Sequence, residues 1–241
     1  MNFRAWYLSD KGLKRDSNQD NFLINQDLGL FIVADGMGGH SGGEVASAMA
    51  VQSIEDVLKE PRSQTLAARE ILIEAYESAS RRIFDHAQVE KRLMGMGTTM
   101  VLGLLRGSTF YIANVGDSRS YLYKKPYLWQ LTEDHSLINE QIRSGVMTEE
   151  QARKFVGRNV ITRSVGYERE VAPDIIEREV QPGEVYLFCS DGLSSLVSDE
   201  KIAEILRTTV PEKIVEECVE QALAHGGDDN VTVIAIQFID S

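Results

Sequence analysis

Four aspartates stand at the ends of apolar runs, each beside a turn residue. Phe31-Ile32-Val33-Ala34 leads into Asp35-Gly36, Ile112-Ala113-Asn114-Val115 into Gly116-Asp117-Ser118, and Val185-Tyr186-Leu187-Phe188-Cys189 into Ser190-Asp191-Gly192. In the fourth case Asp229-Asn230 precedes the run Val231 to Ile236. Runs of this kind, rich in Val, Ile and aromatics, read as buried strands, so each carboxylate is mounted on a rigid element. One such Asp is ordinarily a turn former or a helix cap. Four of them, drawn from distant parts of the chain, point to one shared site. Carboxylates crowded together repel unless a cation lies between them, and the chain reads as a holder of hard divalent ions.

The donor set narrows the metal. Zinc prefers Cys and His at short spacings. Here His40, His86, His135 and His225 form no H-x-x-x-H or H-x-H pair, and Cys189 and Cys218 form no C-x-x-C. Oxygen ligands alone suit Mg²⁺ or Mn²⁺, and two such ions about 3.5–4 Å apart are the usual device for in-line attack on a phosphate ester. Arg15, in Arg15-Asp16-Ser17-Asn18-Gln19-Asp20, offers a planar fork that matches two phosphate oxygens, although alone it would read as a surface residue. The glycine-rich stretch from Asp35-Gly36-Met37-Gly38-Gly39-His40 to Gly43 lets backbone approach an ion closely. It also fits a flexible loop or an anion-binding nest, and it lacks the G-x-x-x-x-G-K-[ST] of a nucleotide loop.

The elements that must position these residues follow from pattern. Strands are expected at Phe3 to Leu8, at Asn21 to Asn25 with Leu28 to Ala34 as a hairpin, and at Ile175 to Glu179, Val185 to Cys189 and Val231 to Phe238. Thr98 to Leu105, Thr109 to Val115, Arg119 to Tyr123 and Leu128 to Leu131 read as one antiparallel meander. Helices are expected at Glu44 to Lys59, stopped by Pro61, at Leu66 to about Val89, at Ser198 to Arg207, and at Pro211 to His225, which ends at Gly226-Gly227. His135 to Ser144 and Thr148 to Lys154 are short charged helical candidates, the second opened by a capping box, Thr148-x-x-Gln151. Strand runs interrupted by paired helices, without strict alternation, indicate an α+β fold. No linker, repeat or low-complexity tract divides residues 1–241, so a single domain is expected.

With 43% hydrophobic residues the chain can bury a sizeable core, and its formal net charge of −12 leaves no basic stripe for nucleic acid or an anionic membrane. The N-terminus has no apolar signal region and no run is long enough to span a bilayer, which implies a cytoplasmic location. Cys189 and Cys218 read as buried small hydrophobes. Cys189 also lacks an H-C-x-x-x-x-x-R setting, which argues against a catalytic thiol.

Six segments together carry a resemblance: Arg15…Asn18-Gln19-Asp20, Asp35-Gly36-Met37-Gly38-Gly39-His40, Gly95-Met96-Gly97-Thr98-Thr99, Ala113-Asn114-Val115-Gly116-Asp117-Ser118-Arg119, Cys189-Ser190-Asp191-Gly192-Leu193 and Asp229-Asn230-Val231-Thr232. In this order they resemble the metal-dependent protein phosphatase family, type 2C, in its compact bacterial form. The resemblance implies a four-layer αββα sandwich, two antiparallel sheets flanked by helix pairs, with a two-ion Mn²⁺ or Mg²⁺ centre at one end. It implies that Asp35 bridges the ions, that Asp191 and Asp229 hold one and the Gly36 carbonyl the other, and that Asp20 acts mainly through water. Asp117, with Asp191, would hold a third, weaker ion, and Arg15 would bind the substrate phosphate. Residues from about 139 to 165 would form a flap beside the site.

The implied activity is hydrolysis of phosphoserine and phosphothreonine on proteins by a water or hydroxide activated between the ions, in a monomer that works opposite a cognate Ser/Thr kinase or on its substrates. Two departures from the family pattern bear on mechanism. Met37 stands where animal members have a candidate acid His, which leaves His40 or metal-bound water as the proton source. Phe155-Val156 stand where many bacterial relatives have His-Pro, which suggests an apolar flap contact to substrate through Phe155. Two rival readings remain: a catalytically silent phosphoprotein-binding regulator, and a hydrolase of small phosphate esters.

Overall fold

The computed structural model describes residues 1–152 and 160–240, with the side chains of residues 39–41 and 149–150 outside that description. In chain order the strands are β1 (Asn2–Asp10), β2 (Asp20–Asn25), β3 (Leu30–Met37), β4 (Gly97–Thr98), β5 (Met100–Arg106), β6 (Thr109–Val115), β7 (Arg119–Lys124), β8 (Tyr127–Gln130), β9 (Asp174–Glu179), β10 (Val185–Cys189) and β11 (Val231–Ile239). The helices are α1 (Gly39–Lys59), α2 (Ala68–Val89), α3 (Leu137–Arg143), α4 (Glu149–Ala152), α5 (Asp191–Ser194), α6 (Asp199–Thr208) and α7 (Ile214–Ala224).

Period-two alternation in the apolar strands explains the layering. On β3, Leu30, Ile32 and Ala34 face a core shared with α1 and α2, while Phe31 and Val33 face the other way. On β10, Val185, Leu187 and Cys189 pack toward α6 and α7, and Tyr186 and Phe188 point to the middle. Because both faces are covered, these strands are continuous apolar runs rather than alternating ones. The strands form two antiparallel sheets, ordered β1-β11-β10-β7-β8 and β2-β3-β5-β6-β9, with β4 paired to β3. Three apolar layers result: one between the sheets and one under each helix set, the expected αββα sandwich. In the middle layer the ring of Phe110 meets Tyr186, Phe238, Phe188 and Phe31 edge-on, with centroids 5.0–6.0 Å apart.

The expected four-strand meander is corrected. β5 pairs β6 in one sheet and β7 pairs β8 in the other, so the chain changes sheets at Gly116-Asp117-Ser118. Gly116 makes the crossing with φ of 105°, a conformation closed to side chains. Helix α1 also starts five residues before the expected Glu44. Local propensity disfavours a helix through Gly42-Gly43, but the packing needs them: a Cβ at Gly43 would lie 2.6 Å from the Gly36 carbonyl oxygen. The capping box forms as read, with Thr148 N–H donating to Gln151 Oε1 at 2.8 Å and Gln151 N–H to Thr148 Oγ1 at 3.3 Å. Both cysteines are buried and unbridged, and burial pushes their thiols up, Cys218 to about 12. No helix among the described residues is long and apolar enough to cross a membrane.

Candidate active site

Strand ends place the acidic residues at one end of the sandwich. Asp20 opens β2 and pairs in register with Asp35 near the end of β3. Asp117 lies in the crossing from β6 to β7, Asp191 is the first residue of α5 beyond β10, and Asp229 comes two residues before β11. A cavity of about 530 Å³ is lined by Arg15, Asp35, Gly36, Asp117, Asp191 and Asp229. A second cavity of about 350 Å³ shares Asp117, Asp191 and Asp229 and is walled by Arg119 and Asp134. Asp20 lies beneath, 8% exposed. Its Oδ2 accepts from Ser190 Oγ at 2.8 Å and Thr232 Oγ1 at 2.6 Å.

The carboxylates are in an unfavourable electrostatic position. Burial, followed by the charges of Asp20, Asp191, Asp117 and Asp229, holds Asp35 well above the carboxylate range. Burial lifts Asp20 to about 7 against the pull of its two hydroxyl donors, with Asp191 and Asp229 adding to the rise. Asp117 also rises to about 7, through burial and then Asp191, and Asp191 rises through burial and then Asp229. Arg15, half exposed, reaches Asp229 Oδ2 with its Nη2 at 2.5 Å.

Asp20 Oδ1 and Asp191 Oδ1 are buried without a hydrogen-bond partner. Such orphaned acceptors are costly and call for an explanation; a bound cation supplies one, and the all-oxygen donor set fits Mg²⁺ or Mn²⁺. Among the described residues no three Asp, Glu, His or Cys side chains close tightly enough to form a complete cage. Backbone carbonyl and water would complete the shell, as is usual for Mg²⁺.

Supporting bonds fix this arrangement. Thr99 N–H donates to the Asp35 carbonyl at 2.9 Å and Thr99 Oγ1 accepts from Asp35 N–H at 3.3 Å. Asn230 Oδ1 accepts from Gln19 N–H, and its Nδ2 donates to the Lys11 and Ser17 carbonyls at 2.8 and 2.9 Å. That triple hold ties the loop carrying Arg15 to the start of β11. Gly36 is buried, and an added Cβ would lie 2.0 Å from the Gly43 carbonyl oxygen, so only glycine lets α1 approach this strand end.

The structure thus gathers Arg15, Asp20, Asp35, Gly36, Asp117, Asp191 and Asp229. His40 enters the first turn of α1, but its side chain lies outside the described residues, as does all of Phe155. Ser190, Asn230 and Thr232 stood inside the quoted motifs without a role, and Thr99 likewise. Adjacency to an aspartate was the signal for Ser190 and Asn230, whereas Thr232 and Thr99 have no aspartate beside them in sequence. His135, weighed in the sequence only as a zinc ligand, lies behind Gly116.

The profile described as "Protein phosphatase 2C" matches residues 13–225. The chain is 39% identical to the serine/threonine phosphatase stp of Listeria monocytogenes, over 97% of this chain and 95% of that protein. It is 37% identical to the serine/threonine protein phosphatase PstP of Mycobacterium tuberculosis, over 96% of this chain and 44% of that one. The crystal structure of the M. tuberculosis serine/threonine phosphatase PstP/Ppp superposes with a TM-score of 0.91 at 35% identity, covering 99% of both chains. The PstP catalytic domain in complex with two manganese ions superposes with a TM-score of 0.88 at 35% identity, also over 99% of both.

Proposed function

The chain belongs to the protein phosphatase 2C family and is a metal-dependent serine/threonine phosphoprotein phosphatase, and from that premise we propose how its own residues divide the work. The observation that carries the reading is that Asp35, Asp117, Asp191 and Asp229 line a cavity with Arg15, that buried Asp20 repels Asp35, and that Asp20 and Asp191 each have an orphaned buried oxygen. Asp35, central to the mutual repulsion, would be shared by two Mn²⁺ or Mg²⁺ ions. Asp191 and Asp229 would hold one of them, the Gly36 carbonyl would serve the other, and Asp20 would act through water. Asp117, with Asp191, would hold a third, weaker ion.

When bound, the ions draw charge from the phosphate oxygens and bring the ionisation of water from about 15.7 down toward neutrality. Two dications with Arg15 balance the five aspartates, so a phosphate dianion can approach. Arg15 takes two of its oxygens in a charge-assisted fork. Asn230 holds the Arg15 loop against β11, and Ser190 and Thr232 keep Asp20 aimed by bonding only one of its oxygens. His40, near the glycine-rich start of α1, is the candidate donor of a proton to the leaving alkoxide.

Residues 139–165 act as a flap beside the site. This reading is supported by Ile161, which lines the cavity. Phe155 in that segment makes an apolar contact to the peptide. The substrates are phosphoserine and phosphothreonine proteins, and the natural counterpart is a Ser/Thr kinase acting in the cytoplasm on the same targets. The phosphatase acts as a monomer and has no nucleic-acid or membrane partner, in keeping with its charge of −12.

Turnover of a phosphothreonine peptide, followed by phosphate release with Mn²⁺ and then with excess chelator, tests the reading. Release that needs the metal is the expected result. Peptide binding without any release at saturating Mn²⁺ would overturn it in favour of a silent binding protein.

A further inference from the structure

We propose that His135 is a positioning residue for Asp117, locking the crossing turn at Gly116 and tying it to the returning end of the 139–165 segment. The inference rests on the reading of Asp117 as the carboxylate of a third, weaker ion.

His135 is 7% exposed and holds Gly116 at two points. His135 N–H donates to the Gly116 carbonyl at 3.0 Å, and Gly116 N–H donates to His135 Nδ1 at 3.1 Å. The second bond fixes the tautomer: Nδ1 accepts, so Nε2 carries the proton and donates to Asp174 Oδ2 at 3.2 Å. Asp174 is held in turn by Arg163, whose Nη1 lies 2.9 Å from Oδ1. On the opposite side of the turn stands Thr99. A Cβ on Gly116 would lie 2.5 Å from the Thr99 Cβ, and Thr99 Oγ1 is 2.7 Å from Ser118 Oγ. The turn bearing Asp117 is therefore clamped between Thr99, which also bonds Asp35, and His135.

The same histidine anchors the segment that returns to the core. Its carbonyl accepts from Thr162 N–H at 2.9 Å, Leu137 N–H donates to the Val160 carbonyl at 2.9 Å, and Ser136 bridges Ile161. Arg163 reaches Asp174 from that segment. Ile161, which lines the active-site cavity, and Asp117 thus share one mount, to which the imidazole contributes its bonds to Gly116 and Asp174.

Three variants separate this role from plain packing. His135→Leu removes the acceptor for Gly116 N–H. His135→Asn places Oδ1 where Nδ1 stands and keeps it. Asp174→Asn loosens the far end at a half-exposed side chain. Hydrogen exchange of the metal-free protein should rise several-fold at Val115–Ser118 in His135→Leu, stay near wild type in His135→Asn, and rise modestly in Asp174→Asn. Mn²⁺ calorimetry should keep the tight pair and lose the weak site in His135→Leu. The Mn²⁺ needed for half-maximal phosphopeptide turnover should rise roughly tenfold, as is usual when an orienting partner is removed. In an Asp117→Ala background His135→Leu should cost nothing more. Unchanged exchange, an Asn variant as damaged as the Leu variant, or fully additive losses with Asp117→Ala would overturn the proposal. If His135→Leu does not fold, unchanged exchange and Mn²⁺ dependence in Asp174→Asn would do so. Wild-type turnover in Asp117→Ala alone would refute the third-ion reading, while the exchange data would still judge the clamp.

Discussion

The Arg15 guanidinium donates to the Asp229 carboxylate at 2.5 Å, across sequence positions 214 apart. Both residues line the same cavity, and both have another proposed partner: phosphate for Arg15, a divalent ion for Asp229. The pair is therefore a competition. An ion at Asp229 would displace the guanidinium and leave its fork free for an anion.

Removing Arg15 should separate these effects. Hydrogen bonds to charged groups are worth about 1.5–3 kcal/mol, so Arg15→Ala is expected to raise KM for a phosphopeptide roughly tenfold to a hundredfold. The effect on kcat should be smaller, because the fork grips phosphate in ground and transition states alike. The same variant should bind Mn²⁺ more tightly in calorimetry, since a positive competitor has gone. An unaltered KM would remove Arg15 from the substrate site.

Asp35 offers the sharpest contrast between stability and activity. Its ionised form is opposed by burial and by four neighbouring carboxylates. Asp35→Asn keeps the shape and removes the charge. The metal-free variant is expected to melt at a higher temperature than wild type at pH 8, and yet to lose turnover and two-site Mn²⁺ binding. A variant that still binds two ions with wild-type affinity would sink the bridging role.

Much of this arrangement was legible in the sequence. β10 was read residue for residue, because a run buried on both faces with a sharp polar boundary has only one consistent reading. The aspartates at strand mouths were legible for the same reason. What escaped was long-range. Gly116-Asp117-Ser118 has the composition of a hairpin turn, and only the three-layer packing shows that it joins two sheets. Helix α1 begins among glycines because Gly43 must pass Gly36, a contact that no local propensity encodes. His135 and Asp174 stand 19 and 58 residues from Gly116 and belong to no local motif; their link exists only once β6 and β9 are paired.

The raised carboxylate values set the sign of a pH effect on the metal-free protein. Asp20 and Asp117 have an ordinary value of 3.8 and sit at about 7 when folded. Between those limits the folded state keeps protons that the unfolded state has released. Their contribution is thus present below about pH 4 and is lost as pH rises toward 7. Glu55 and Asp56 are lowered by hydrogen bonds, chiefly from Asn25 and Arg82, so their contribution is present above their ordinary values of 4.5 and 3.8 and is lost in more acid solution. His135, lowered by burial, works in the opposite direction as a single group. In chelator, calorimetric Tm should fall by several degrees from pH 5 to pH 8, and saturating Mn²⁺ should restore it most strongly at pH 8. A chelated protein that grows more stable with pH would show that the carboxylates are not crowded.

The last expectation concerns substrate choice at the flap. Helices α3 and α4 span seven and four residues. Elements this short gain little from propensity and depend on packing, so the segment can shift as a substrate arrives. Its return, at Ile161, lines the cavity. Phe155, outside the described residues, is the aromatic residue nearest Ile161 in sequence on its N-terminal side. A phosphopeptide presents flanking side chains to such a group, whereas a small aryl phosphate needs only the ions and Arg15. Phe155→Ala is therefore expected to lower kcat/KM for phosphopeptides roughly tenfold and to leave the aryl ester nearly unchanged. Parallel steady-state assays on the two substrates check it. Equal losses on both would mean that Phe155 supports the fold rather than the substrate, and selectivity would then have to come from the walls of the acidic cavity itself.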